Sequence, residues 1–177
     1  MIYILVGLFI FLGVCFFFFR STGPKIMPLE INKDNPTMIA AIKNAKNSLD
    51  EFKKLLNLYP KEGHVKVPFL TNSGETEFLW GDVTKIMNSD LDIFLTTPPI
   101  THYGKMDRNV KYSLNDIVDW TVTVPDEKIK GGFTMKAMFE IYIDKYGELP
   151  EILLQEKNMY EYKTLPNTTY KQYGLQV

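Results

Sequence analysis

The first nineteen residues, MIYILVGLFIFLGVCFFFF, form an uninterrupted apolar segment without a charged side chain. As an α-helix, a segment of this length extends roughly 28 Å, which is close to the thickness of the hydrocarbon layer of a membrane. In lipid it must be helical, because only a helix satisfies its own backbone hydrogen bonds there. The sequence therefore predicts a transmembrane anchor over residues 1–20 and a single-pass protein of the cell membrane.

Two alternatives compete with a retained anchor. A cleaved signal peptide needs a basic start, a shorter apolar core and small residues at the cleavage site. Here no basic residue precedes the core, and the bulky sequence FFFF continues to Arg20. A lipoprotein signal modified at Cys15 would end the apolar run there, but residues 16–19 continue it. We favour an uncleaved anchor, and the sequence leaves the question of cleavage open.

The charges beside the anchor predict which side of the membrane the remaining chain occupies. Arg20 and Lys25 follow the apolar segment, and no basic residue precedes it. Basic residues favour the cytoplasmic side, so we expect a cytoplasmic domain. Residues 21–34 contain proline and glycine without a sustained apolar period, which predicts a linker.

Composition excludes several classes of function. The formal net charge is -1 and no basic stretch is present, which argues against nucleic-acid binding. The single cysteine permits neither an intramolecular disulfide nor a zinc site of cysteine pairs. His64 and His102 have no histidine partner at helical spacing, and no phosphate-binding loop or nucleophile elbow is recognisable. We therefore expect no cofactor, no metal and no catalytic residue.

The soluble part begins with a helical pattern. Asn35 and Pro36 are typical of a helix start. An apolar stripe then continues to YPKEG, which predicts one amphipathic helix packed on a sheet; the stripe comprises Met38, Ile42, Ala45, Leu49, Phe52 and Leu56. The five segments HVKVPFL, TEFLWGDV, LDIFLTT, VKYSL and DIVDWTVTV follow as predicted strands. Pro68 suggests an edge position or a bulge. The alternation in the last segment predicts one buried sheet face.

The segment FTMKAMFEIYIDKYG fits either a strand or a helix, because its apolar residues satisfy both periods. Thr134 as a helix N-cap and Gly147 just past the end favour a helix. A last helix is predicted to begin near Pro150. The predicted fold is thus α+β: a transmembrane helix, then an amphipathic helix on a small, mainly antiparallel sheet with one or two C-terminal helices. The domain covers residues 35–160, and residues 161–177 form a tail.

Three motifs indicate a family. They are Glu77 with Trp80 in ETEFLW, Asp119 with Trp120 in DIVDW, and the sequence GGFT at residues 131–134. With these motifs in this order, the chain resembles the bacterial YegJ-like family, a domain of unknown function; the resemblance covers roughly residues 40–137. The chain lacks glycines that this family usually has near KMDRNVKY and DIFLTTPP. The resemblance implies a compact α+β fold and no particular reaction.

The same motifs supply the candidate binding residues, which are Trp80, Asp119, Trp120, Gly131, Gly132 and Thr134. In a functional interpretation, the amides of the glycine turn and of the following helix start bind an anion beside Asp116 and Asp119. In a structural interpretation, the glycines make a tight turn, Thr134 caps a helix, Trp120 fills the core and Asp119 accepts hydrogen bonds from turn amides. The structural interpretation is the simpler one, because Asp116 and Asp119 lie on opposite faces of a strand.

Tyrosines are numerous and favour protein contacts. They are Tyr103, Tyr112, Tyr142, Tyr146, Tyr160, Tyr162, Tyr170 and Tyr173. We therefore expect a non-catalytic protein-binding module whose partner lies at the same membrane, with immunity against a toxin as one concrete version. The alternative is a small-ligand sensor or an enzyme that uses Asp119, Trp120 and residues 131–134.

Overall fold

The computed structural model of the chain describes residues 27, 29, 31, 32, 34–125 and 128–160. The elements in chain order are α1 (Pro36–Asn47), α2 (Leu49–Leu58), β1 (Gly63–Leu70), β2 (Thr76–Met87), β3 (Asp90–Leu95), β4 (Asn109–Ser113), β5 (Asp119–Thr123), β6 (Ile129–Gly131), α3 (Phe133–Tyr146) and α4 (Glu151–Met159). The predicted anchor over residues 1–20 and the predicted tail lie outside the described residues. Within the described part, no helix is long and apolar enough to cross a membrane.

The six strands of the described residues form one sheet in the order β4-β3-β2-β1-β5-β6, and every neighbouring pair is antiparallel. Strands β1 to β4 follow one another as a meander, and the chain then crosses to pair β5 with the remaining side of β1. This arrangement confirms the α+β class and the antiparallel sheet. The short strand β6 is an addition that the sequence pattern does not indicate.

The predicted single amphipathic helix is wrong, because the chain forms two helices that meet at Ser48. Asn35 caps α1 as expected, since its side chain accepts a hydrogen bond from the Met38 amide at 3.1 Å. Ser48 leaves the helical conformation with φ -105° and ψ 14°, and its hydroxyl donates to the Ala45 carbonyl at 2.9 Å. A side chain that bonds back to the preceding turn bends a helix.

Helices α1 and α2 cover one face of the sheet, which we call the inner face. Phe52 and Leu56 of α2 contact the buried side chains of that face, as predicted from the apolar stripe. The opposite, outer face carries the alternate residues of the same strands. The buried strand residues of the inner-face core are Val65, Val67, Leu79, Val83, Leu91, Ile93, Leu95, Trp120 and Val122.

Pro68 lies in β1, which is central in the strand order, but at a position where only β2 pairs with this strand, in agreement with the predicted edge position. Strand β1 pairs with β2 from His64 to Leu70, but its pairing with β5 ends at Lys66. A proline without a backbone N–H is tolerated where a second neighbouring strand is missing. The Pro68 carbonyl accepts a hydrogen bond from the Tyr112 hydroxyl at 2.6 Å.

The last predicted strand is shorter than expected and is buried on both sides. Residues Leu114–Asp116 form a 3₁₀ turn, and β5 begins only at Asp119. Asp119 to Val122 are all buried, so the predicted single buried face is wrong for this strand. The reason is that residues 131–134 and Tyr160 cover the outer face of β5, while Phe52 covers its inner face.

The ambiguous segment is the helix α3, and α4 begins directly after Pro150, as the helical patterns predicted. Among the described tyrosines, two belong to the core. Tyr142 is 2% exposed and Tyr160 is 8% exposed, and Tyr160 lies edge-on to Phe139 with ring centroids 5.8 Å apart. Tyr103, by contrast, is 76% exposed.

Candidate functional site

Asp119 is a fully buried carboxylate that holds the start of α3. One oxygen accepts the amides of Trp120 at 2.8 Å and Phe133 at 3.1 Å. The other accepts the amide and the hydroxyl of Thr134, both at 2.7 Å. Burial raises the pKa of the Asp119 carboxyl above its ordinary value, and these hydrogen bonds lower it in part. The carboxylate thereby satisfies two of the amides that a helix start leaves without partners.

Thr134 is not the helix N-cap, which corrects the sequence prediction. The N-cap position is Gly132, and Thr134 is the second residue of α3. The capping acceptor comes from the neighbouring strand, since glycine has no side chain to supply it. The functional interpretation assigned these amides to a bound anion, whereas in the structure the carboxylate of Asp119 accepts them.

Gly131 and Gly132 make the turn that brings α3 against Asp119. Their φ angles are 80° and 64°, a region in which side chains are strained. A methyl group at Gly131 would overlap Trp120, and one at Gly132 would overlap the ring of Tyr160. Both glycines therefore serve conformation and close packing at this corner.

Trp120 points away from Asp119, into the inner-face core. Its ring stacks on Phe52 with ring centroids 5.2 Å apart. It makes a T-shaped contact with the Phe133 ring, with centroids 5.9 Å apart. The indole N–H donates to the Ala45 carbonyl at 3.2 Å and to the Ser48 hydroxyl at 3.1 Å. Trp120 therefore joins the sheet to the junction of α1 and α2, and it is only 1% exposed.

The outer face of the sheet carries a groove of about 280 Å³. The strand register explains its floor, because His64 lies between Asp82 and Thr121 in one row of the sheet. In the next row Lys66 lies between Trp80 and Asp119. We call this cavity the outer-face groove; its lining residues are His64, Trp80, Thr121, Met135, Glu156 and Tyr160.

Lys66 is a half-buried cation beside this groove. Its ammonium group donates to the Thr134 hydroxyl at 3.5 Å and lies 5.8 Å from the centre of the Trp80 ring. Because the same hydroxyl donates to Asp119, Thr134 bridges the two charged groups. Burial lowers the pKa of Lys66, and the charge of Asp119 opposes this in part.

Two titratable groups, His64 and Glu156, line the groove itself. The Nδ1 atom of His64 lies 2.8 Å from a carboxylate oxygen of Asp82, and both side chains are partly exposed. This contact orients the imidazole and leaves Nε2 as its second polar atom. On the opposite wall, burial raises the pKa of Glu156. Among the described residues, no group of three or more side chains is arranged to hold a metal ion.

A row of aromatic side chains continues from the groove across the outer face. Phe78 and Trp80 lie two residues apart on β2, and Phe94 of β3 lies opposite Asp82. Phe78 is 53% exposed and Phe94 is 36% exposed. We call Phe78, Trp80 and Phe94 the aromatic patch. The guanidinium of Arg108 lies 4.7 Å from the centre of the Phe94 ring.

The structure brings together four of the six sequence candidates. Asp119, Gly131, Gly132 and Thr134 form one capped corner, whereas Trp120 lies on the other side of the sheet. Trp80 lies across Lys66 from Asp119.

Sequence reasoning did not assign Lys66 to a site, nor pair His64 with Asp82. The alternate polar positions in HVKV were a usable signal for both, since they fall on one face of a strand. Nothing local in the sequence places Glu156 and Tyr160 against that face.

The six-stranded sheet and its helices define a small α+β domain. The chain belongs to the family described as "Uncharacterized protein conserved in bacteria (DUF2314)", whose model matches residues 35–145. The chain is similar to "Uncharacterized protein YegJ" of Escherichia coli (strain K12). The two are 32% identical over 111 residues, which covers 62% of this chain and 71% of that protein. These matches confirm the resemblance inferred from the three motifs. No solved structure matches the chain.

Proposed function

We propose that this bacterial protein is a single-pass, membrane-anchored module that binds a protein partner without catalysing a reaction. The observation that carries the proposal is the aromatic patch on the outer face, where Phe78 is 53% exposed and Phe94 is 36% exposed. Exposed aromatic side chains that lie together are typical of protein interfaces, because they supply large apolar contacts at little cost in conformational entropy.

The surroundings of the patch define the kind of partner. Phe78 and Phe94 present apolar rings, and Arg108 adds a cation beside Phe94. A partner surface with apolar or aromatic side chains and a nearby carboxylate complements this arrangement. Immunity against a toxin is one concrete version of such binding.

The anchor is supported by the apolar sequence of residues 1–19, and the cytoplasmic side by Arg20 and Lys25. Anchoring raises the effective concentration of the domain towards a partner in the same membrane layer. The proposed partner is therefore a membrane protein or a protein recruited to the cytoplasmic surface.

Photo-crosslinking tests the binding surface. A photoreactive phenylalanine analogue at position 78 of the full-length chain, expressed in its own host, is expected to capture one protein repeatedly. The same analogue at Leu58, which is 69% exposed on α2, is the matched control and should not capture it. Equal capture at both positions, or none at Phe78, would contradict the proposed surface.

Two variants make the comparison quantitative. Phe78→Ser combined with Phe94→Ser should reduce capture in a cross-linking pull-down at least tenfold, whereas Leu58→Ser should not. Interface aromatics of this kind contribute about 2 kcal/mol or more when they are central.

Fractionation of cells that express the protein with or without residues 1–20 tests the anchor. The full chain should stay with membranes washed at alkaline pH, and the truncated chain should not.

A further inference from the structure

Beside the outer-face groove, next to its lining residue Trp80, lies a cation that lacks a directly contacting anion. In the described part of the chain, no carboxylate oxygen lies within the 4.0 Å ion-pair distance of the Lys66 nitrogen. Its one hydrogen bond, to Thr134, is long at 3.5 Å. An ammonium group can donate three hydrogen bonds, and half-buried charges are normally paired.

Asp119 cannot supply the missing contact without losing its own role. Both of its oxygens already accept two hydrogen bonds each at the start of α3. Rotation of the carboxylate towards Lys66 would leave the part-buried amide of Phe133 and the buried amide of Thr134 without an acceptor, which costs about 1–3 kcal/mol for a buried group. The remaining donors of Lys66 are therefore available to an external acceptor.

His64 places a second polar side chain along the same strand. It lies two residues from Lys66 on the outer face, and its contact with Asp82 orients the ring. Protonated imidazole can donate from Nε2 while Nδ1 stays bonded to Asp82. Thr121, opposite His64, adds a hydroxyl to the lining, and the Trp80 ring adds an apolar wall.

We infer that the outer-face groove binds a small organic anion, a carboxylate or a phosphate monoester, whose charged oxygens contact Lys66 and His64. The volume of about 280 Å³ lies at the lower end of small-molecule sites, so the ligand is of metabolite size. This site is separate from the proposed protein-binding function, although Trp80 belongs to both surfaces.

Glu156 is a negatively charged group in the groove that limits how tightly an anion binds. Its carboxyl lines the wall formed by α4, and a negative charge there opposes a bound anion. This wall, with Tyr160, lies beyond the residues 35–145 that match the family. Replacing Glu156 by the neutral amide should therefore strengthen anion binding, whereas loss of Lys66 should weaken it.

Methyl NMR on the full-length chain tests the site directly. The protein carries ¹³C-methyl methionine and is held in phosphatidylcholine nanodiscs, so that the lipid has no net charge. Met135 lines the groove and reports binding, while Met87, 41% exposed at the end of β2, is an internal control. Acetate, benzoate and inorganic phosphate are titrated against sodium chloride at equal ionic strength.

We expect at least one of these anions to shift the Met135 signal saturably while the Met87 signal stays in place. Lys66→Gln should weaken binding about tenfold, and Glu156→Gln should strengthen it about fivefold. Lys111→Gln, an exposed charge change on β4, should leave it unchanged. His64→Gln should also weaken binding, which keeps the test decisive if Lys66→Gln does not fold.

Two results would overturn the inference. One is a Met135 signal that none of the three anions shifts beyond the chloride control. The other is binding that Lys66→Gln and His64→Gln leave at the wild-type affinity. Neither result bears on photo-crosslinking at position 78, so the failure of this site and the failure of the protein-binding proposal are distinguishable.

Discussion

Replacing Asp119 by asparagine removes one of the two acceptor oxygens that hold the start of α3. The wild-type carboxylate accepts four hydrogen bonds, two on each oxygen. The amide of asparagine has the same shape, but its nitrogen donates and does not accept. Whichever way the side chain is oriented, at least one buried backbone amide, of Phe133 or of Thr134, is left facing another donor.

The size of the effect follows from these contacts. A buried donor without an acceptor costs about 1–3 kcal/mol, and loss of hydrogen bonds to a charged acceptor adds to this. Removal of the buried charge offsets part of the loss, because burial disfavours the ionised carboxyl. We therefore expect Asp119→Asn to lower the free energy of unfolding by about 2 kcal/mol.

Urea denaturation of the full-length chain in detergent, followed by tryptophan fluorescence, measures this difference. Asp116→Asn is the matched control, because Asp116 is an exposed carboxylate in the 3₁₀ turn just before β5. It should change the free energy of unfolding by less than about 0.5 kcal/mol.

The contribution of Asp119 to the free energy of unfolding depends on pH in a defined direction. The folded-state pKa of Asp119 is raised, so the folded protein binds this proton more readily than the unfolded chain does. The contribution of this carboxyl to stability is therefore greatest below its unfolded-state pKa, and it decreases as pH rises through the raised folded-state value. The difference in stability between wild type and Asp119→Asn should be larger near pH 4 than at pH 7. A wild type that is no more stable than Asp119→Asn at either pH value would refute the capping role.

Three other substitutions test other parts of the fold. Gly132→Ala should lower the free energy of unfolding by about 2 kcal/mol, measured by urea denaturation, because it combines a strained φ with overlap of Tyr160. Ser48→Ala should lower it by about 1 kcal/mol in the same assay, since the Trp120 indole loses one of its two acceptors. Glu77→Gln should speed amide exchange at residues 100 and 101. The amides of Ile100 and Thr101 donate hydrogen bonds to the Glu77 carboxylate, and these bonds lower its pKa. In wild type, the protection of these two amides from exchange should therefore decrease as pH falls through the lowered pKa of Glu77.

The local elements were predictable where one signal dominated. Asn35 followed by Pro36 marked the start of α1, and the alternation in HVKVPFL marked β1. The junction at Ser48 was not predictable from periodicity, because the apolar stripe continues across it. The bend depends on a hydroxyl that contacts Ala45 and on Trp120, which is distant in sequence.

The candidate corner was predictable in composition but not in the role of each residue. DIVDW and GGFT were recognisable as one functional or structural unit, and the glycine turn was expected from residue type alone. That Asp119 rather than Thr134 caps α3 depends on β5 lying beside the turn between β6 and α3. A cap supplied by another element leaves no pattern in the capped segment.

The sequence by itself determined the apolar segment of residues 1–19, the antiparallel α+β class and the residues that make the tight turn. These properties depend on period, length and backbone preference, which are local quantities. Only the tertiary structure decided that Lys66 lies between Trp80 and Asp119, that Glu156 lines the groove beside it, and that Phe78 and Phe94 lie on the outer face. Those arrangements depend on strand order and register, and residues far apart in sequence become neighbours only when the sheet has formed.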